Sequence, residues 1–294
     1  MVIAQILVNG IISGLAYALF ALGFGLAYNT TRIFNFAHGA VYTLAAYSFY
    51  TSYVTCGWHI LPAAVLSLGI AAAAGIAMDE IVYRPLIERN ASLLIPLLSS
   101  LGLYTVIVNV IAAIYGNENK TLSPGLQPAY TFGPIILTRI QITIAVVFVF
   151  LFSTLLLLLK RTNLGKVIRA MRDDPELLSA MGVSQHRVRL IAFGIGSGFS
   201  AFAAILLGLD VGIDPNIGMA ALLSGAVAVI IGGVGVFEGA ALGALTLGIL
   251  QSLITWRFSS RWTEAIAFVV LIVFLVFRPE GIAGQRRRVD EIAP

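Results

Sequence analysis

The sequence predicts an all-α membrane protein, a polytopic helical bundle of about eight to ten transmembrane helices, and three observations carry that expectation. Apolar residues fill 59% of the 294 positions and charged residues only 11%, where a soluble domain carries about 25%; the mean hydropathy is +0.95. Apolar runs long enough to cross roughly 30 Å of hydrocarbon recur along the whole chain. A single long polar stretch, 160–190, separates two strongly apolar parts.

In order, the runs are 3–28, 33–55, 60–83, 91–115, 140–159, 191–209, 218–231, 234–256 and 262–277. The first lacks the basic flank and small-residue cleavage site of a secretory signal, so it is expected to stay as an anchor. The second has Asn35, His38 and Gly39 near its start, which predicts an irregular first turn. The seventh is too short for a regular span and is expected to be broken or re-entrant. Placing 160–190 in the cytoplasm puts Lys160, Arg161, Lys166, Arg169, Arg172, Arg187 and Arg189 there. Alternate crossings then put Arg32, Arg84, Arg89, Arg278, Arg286, Arg287 and Arg288 on the same side, and Lys120, Arg139, Arg257 and Arg261 outside. That bias follows the positive-inside rule and predicts an external N-terminus and a cytoplasmic C-terminus. It also accounts for the net charge of +4 without nucleic acid.

Glycine is abundant, at 29 residues. Gly235, Gly239 and Gly243, with Ala240 and Ala244 beside them, recur at the spacing that lets membrane helices approach closely, and Gly10 and Gly14 repeat it. Gly232, Gly233 and Gly235 fall between two apolar runs and predict a helix break. A second break is expected around 35–39, and one interruption in each half predicts an internal repeat.

Within the polar stretch, Asp174 suits an N-cap, Pro175 a first helical position and Gly182 a stop. The helix between them has about two turns, roughly 10 Å. Leu177, Leu178 and Met181 are expected on one face, and a helix so short is stable only against a partner. Docking into a protein groove fits it better than lying on anionic lipid. The preceding helix would put Lys166 and Arg169 on one side and Val167, Ala170 and Met171 on the other.

Catalytic patterns are missing. There is no G-x-x-x-x-G-K-[ST] loop, no H-E-x-x-H and no G-x-S-x-G. One cysteine, Cys56, excludes an internal disulfide, and His38, His59 and His186 lack metal-ligand spacing, so neither metal nor cofactor is expected. Asp79, Glu80, Asp210, Asp214 and Arg257 fall near span ends. His38 and Glu238 lie beside the breaks, as path groups or as helix caps. So few intramembrane acids argue against proton-coupled transport. Any uphill movement would draw its energy from an ATPase docked on the polar stretch.

Several segments carry a family resemblance. Glu176, Ala180 and Gly182 have the spacing of the EAA segment of ABC-importer permeases, with Leu177 and Leu178 in place of two alanines. Asn35-Phe36-Ala37-His38-Gly39, Arg84-Pro85-Leu86, Gly232-Gly233-Val234-Gly235 with Gly239-Ala240, and Phe277-Arg278-Pro279-Glu280-Gly281-Ile282 follow in family order across nearly the whole chain. The sequence thus resembles Liv-type branched-chain amino acid permeases of the first-permease branch.

The resemblance implies an inner-membrane subunit with one transmembrane permease domain over 1–294. It implies a cytoplasmic coupling loop at 160–190, an external loop at 116–138 and a cytoplasmic tail at 278–294. Its partners would be a second homologous permease, two cytoplasmic ATP-binding subunits and an external solute-binding protein. Asp174, Glu176, Leu177, Leu178, Met181 and Gly182 would form the ATPase contact. Asn35, His38, Gly39, Ser224, Gly232, Gly233, Gly235 and Glu238 would line a path or gate. The chain departs from the family at Ala40, at Phe237-Glu238 and at Ser224, which keeps urea and short amides beside branched-chain and other amino acids as solutes. A self-sufficient channel for a small solute is the alternative from a different class.

Overall fold

α1 (Val2–Thr31) is the axis of the bundle, 30 residues long and about 45 Å from end to end. The computed structural model describes residues 2–89, 91–92, 94–122, 128–133, 135–258, 262–278 and 280–283. The expectations for Arg261, Pro279, Arg286, Arg287 and Arg288, for the tail beyond 283 and for 123–127 and 134 of the external loop lie outside the described residues.

After α1 come α2 (Ala37–Tyr50), α3 (Ile60–Met78), α4 (Arg84–Glu88) and α5 (Leu94–Tyr115). π-helical turns Thr51–Thr55 and Asp79–Tyr83 extend α2 and α3. A hairpin of β1 (Ala129–Phe132) and β2 (Ile135–Thr138), with Ala129 opposite Thr138, sits in the expected external loop. Its Thr138 caps α6 (Arg139–Arg161) in a reciprocal box with Gln141. The polar stretch folds as α7 (Asn163–Asp173) and α8 (Pro175–Ala180). The chain closes with α9 (Gln185–Val211), α10 (Ile217–Gly232), α11 (Phe237–Arg257) and α12 (Thr263–Phe277).

Among the described residues, six helices are long and apolar enough to cross a membrane: α1, the run Ile60–Glu88, α5, α6, α9 and α11. Of the other expected spans, α10 has 16 residues and α12 has 15, about 24 and 22 Å. The second run loses its first turns to the break before Ala37.

The core separates centre from rim. In α1 and α9, 61% of the most apolar window is buried, against 22% in α5 and α6, so the first pair forms the centre and the second the rim. Glycine sets the central spacing: a Cβ at Gly10 would stand 2.8 Å from Ile249 Cα, and one at Gly14 would stand 2.9 Å from Leu245 Cα. That is the close approach the spacing predicts.

Candidate functional site

The polar stretch is built by caps. Thr162 Oγ1 accepts from Gly165 N at 3.1 Å and starts α7. Asp174 Oδ1 accepts from Glu176 N at 3.0 Å and Leu177 N at 2.9 Å and starts α8, with Pro175 in its first turn. Gly182 ends the segment at φ +82, a left-handed turn that costs other residues strain. The three apolar residues expected on one face are split. Leu178 is 4% exposed and enters the core, while Leu177 at 59% and Met181 at 74% stand outward, one turn apart. α7 buries Ile168 and Met171. Its Arg169, expected on the polar side, turns back to donate to the Leu159 carbonyl.

This segment is tied to the bundle at several points. Gln185 Nε2 donates to Pro175 O and to Ser179 Oγ, both at 2.8 Å, clamping α8 to the start of α9. Arg172 Nη1 donates to Gly235 O at 2.6 Å, reaching the turn between α10 and α11. Arg32 Nη2 donates to Arg172 O at 2.9 Å. Lys160 Nζ pairs with Glu238 Oε1 at 2.7 Å, so Glu238 is a half-exposed group in the first turn of α11.

The α10–α11 turn is made of backbone. Gly233 and Gly235 adopt φ +104 and +95. Gly232 packs on Gly239 with no room for a Cβ. Ile282 N donates to Ile231 O at 2.7 Å and Ala283 N to Gly232 O at 3.0 Å, so the C-terminal stretch satisfies carbonyls that end α10.

The α1–α2 break is made of side chains. Asn35 Oδ1 accepts from His38 N at 3.2 Å and from the Tyr83 hydroxyl at 2.5 Å. Ser100 Oγ accepts from Phe36 N at 3.1 Å. His38 is buried, with Nε2 2.6 Å from Ser200 Oγ and its ring edge-on to Phe20 and Phe24. Gly39 lies against the Gly218 carbonyl, joining α2 to the start of α10. Ser224 stands apart from both breaks, on a cavity of about 410 Å³ with Tyr17, Leu207, Ile217 and Glu264.

Sequence reasoning missed one group. Asp79 is fully buried beside Arg189, whose Nε is 3.2 Å from its Oδ1. His186 Nδ1 lies 3.8 Å from Asp79 Oδ2, and His186 Nε2 lies 3.0 Å from Glu80 Oε2. The first turn of α9, clamped to α8, thereby meets the π-helical turn that carries Tyr83, the partner of Asn35. Asp79 and Arg189 are far apart in the chain, so no local spacing announces the pair.

Long apolar helices around a buried centre, with a capped polar segment held against one face, define a multi-pass membrane protein of the permease class. The family model for the branched-chain amino acid transport system permease component matches residues 6–275, and the chain belongs to that family. It is a transporter subunit and not an enzyme. It is 32% identical to the high-affinity branched-chain amino acid transport system permease protein BraD of Pseudomonas aeruginosa, over 96% of this chain and 95% of that one. It is 30% identical to LivH of Escherichia coli over the same shares. Its fold is similar to that of PsaBC from Streptococcus pneumoniae in complex with Fab, with a TM-score of 0.52 and 13% identity over 92% of this chain and 91% of that one. Permease subunits of such importers work with ATPase and binding-protein partners, and the chain is accordingly a multi-pass inner-membrane protein.

Proposed function

We propose that this chain translocates branched-chain or other amino acids across the inner membrane, with energy from ATPases docked on 160–190. The observation that carries this reading is the outward pair Leu177 and Met181 on α8. An exposed apolar pair on a capped two-turn helix fits a groove on a partner, and Gln185 of α9 holds the helix at Pro175 and at Ser179. ATP binding and release move α8, and the Gln185 clamp and Arg172 carry that movement to α9 and to the α10–α11 turn.

The assembly pairs this chain with a second homologous permease, two ATP-binding subunits and an external solute-binding protein. The N-terminus is outside and the C-terminus cytoplasmic, as the Lys and Arg bias supports. The hairpin on the external loop is where the binding protein rests. Asn35, His38, Gly39 and Ser224 are the path candidates. Gly232, Gly233, Gly235 and Glu238 form the hinge that Arg172 holds. Amino acids are preferred over urea or short amides because the full-length relatives carry amino acid transport names. A self-sufficient channel would have no use for the α8 docking face.

Gentle purification of the tagged chain, followed by mass spectrometry, tests the class. Two nucleotide-loop ATPases and a second permease are expected, and Met181→Glu should remove the ATPases while the chain still inserts. Wild-type chain recovered without an ATPase under conditions that hold a known importer together counts against the reading.

A further inference from the structure

The cavity of about 410 Å³ on which Ser224 stands lies where α1, α9, α10 and α12 meet. Its size is within the range of ligand pockets, about 300–1,000 Å³. Glu264 is in the first turn of α12, and Ser224 is about 10 Å along α10 from Ile217. Both helices begin at the end remote from the turn that Arg172 and the C-terminal stretch hold. On the orientation proposed above, the cavity faces the external half of the membrane.

Three polar groups on its wall are unspent. Ser224 is buried and Tyr17 half-buried, and neither hydroxyl makes a hydrogen bond among the described residues. Neither is sealed off, unlike the hydroxyls of Tyr42, Tyr47 and Tyr104, which are closed from any ligand. An open hydroxyl in an apolar bundle lacks a hydrogen bond that an entering acceptor supplies. Glu264 is exposed and makes no ion pair among the described residues. It is the one charged group among the described residues that line the cavity. A mouth with a carboxylate and no cation attracts an ammonium and repels a free anion. The two hydroxyls are then the donors left for a carboxylate. Leu207, Ile217 and Ala221 supply an apolar wall. One acid, two open donors and an aliphatic wall are the complement of a zwitterionic aliphatic α-amino acid. A neutral urea or amide would leave Glu264 without a counter-charge.

We propose that this cavity receives such an amino acid on the external side, its ammonium on Glu264 and its carboxylate on the Ser224 and Tyr17 hydroxyls. The proposal rests on the importer reading above and adds the groups that choose the solute. Glu264, at the start of α12, meets the ammonium, and the hydroxyls hold the other end of the molecule. The amino acid thus enters carboxylate first. The choice of amino acids over urea and short amides then comes from a residue of this chain, Glu264, and not only from the names of its relatives.

The test uses the whole complex of permeases and ATPases, purified without the binding protein so that the receptor's affinity does not set the midpoint. Cys56→Ser removes the chain's one cysteine, and Ala220→Cys or Ile217→Cys places a thiol on the cavity wall. Alkylation of that thiol by a small neutral maleimide is read on this chain as solute is added. L-Leucine should slow it. 3-Methylbutylamine, which lacks the carboxylate, should need about ten times the concentration, and 4-methylpentanoate, which lacks the ammonium, more again. Glu264→Gln should raise the half-protecting concentration of leucine about tenfold and narrow the gap between the two analogues. Ser224→Ala and Tyr17→Phe should raise it for leucine and leave it unchanged for the amine, a split that a merely structural role would not give. No labelling at either position, no protection by leucine, preference for the acid over the amine, or an unchanged midpoint in Glu264→Gln overturns the site. Each counts against the site alone when the wild-type complex imports leucine in proteoliposomes with its binding protein. A wild-type complex that imports no amino acid strikes the importer reading instead.

Discussion

Two helix interruptions face the polar segment, and they are built in opposite ways. At the α1–α2 break the chain turns through side-chain chemistry. Asn35 holds a backbone N–H and a tyrosine hydroxyl, Ser100 holds a second N–H, and the group is buried among aromatic rings. At the α10–α11 turn it is done by backbone. Two glycines take positive φ, and the C-terminal stretch bonds the freed carbonyls. A side-chain junction transmits force through specific partners, because each must follow the other. A glycine junction is a hinge held from outside, here by Arg172 and by Lys160 against Glu238. Under the proposed function, the first break would follow α8 through α9 and the second would yield under α7.

The sharpest way to break the comparison is at the support of the first region. Asp79→Ala leaves the Arg189 guanidinium buried without its counter-charge, and removing one partner of such a pair costs about 3–5 kcal/mol. Thermal unfolding of the purified chain in detergent should show a collapse in midpoint, and Asp79→Leu with Arg189→Met should restore most of it. A double variant as unstable as the single one would mean that the pair is not what supports the break. A smaller effect is expected at the second region. Gly233→Val forces a branched residue to φ +104, worth about 1–3 kcal/mol. The same unfolding assay should show a moderate loss, and Gly233→Asn should lose less. If valine is tolerated, the turn is not held in its left-handed form. The smallest effect belongs to Lys160→Gln. Lys160 is exposed and Glu238 half-exposed, so their pair adds about 0–1 kcal/mol. Stability should be unchanged while transport slows. A large stability loss would make that contact part of the fold and not a restraint on the hinge.

Much of this was legible in the residues. Asp174, Pro175 and Gly182 mark α8 because capping is a local property of the backbone and its nearest side chains. Gly10 and Gly14 mark a close helix contact because only small residues permit one. The breaks at 35–39 and 232–235 were visible as polar and glycine residues inside apolar runs. The orientation of Leu178 away from Leu177 and Met181 was not, because two turns of helix offer no period long enough to separate a core face from an exposed face. The hairpin at 129–138 was hidden for a similar reason: four-residue strands beside a Pro- and Gly-rich stretch read as loop.

Composition and order alone determined a multi-pass helical membrane protein, its family and the place of its polar segment. These depend on hydropathy and on short motifs, which act over a few residues. The tertiary structure decided which polar groups meet. Asp79 with Arg189, Arg172 with Gly235 and Tyr83 with Asn35 are each distant in sequence. Burial in an apolar bundle makes every unpaired polar atom costly, so the packing of the helices selects those partners, and no spacing along the chain encodes them.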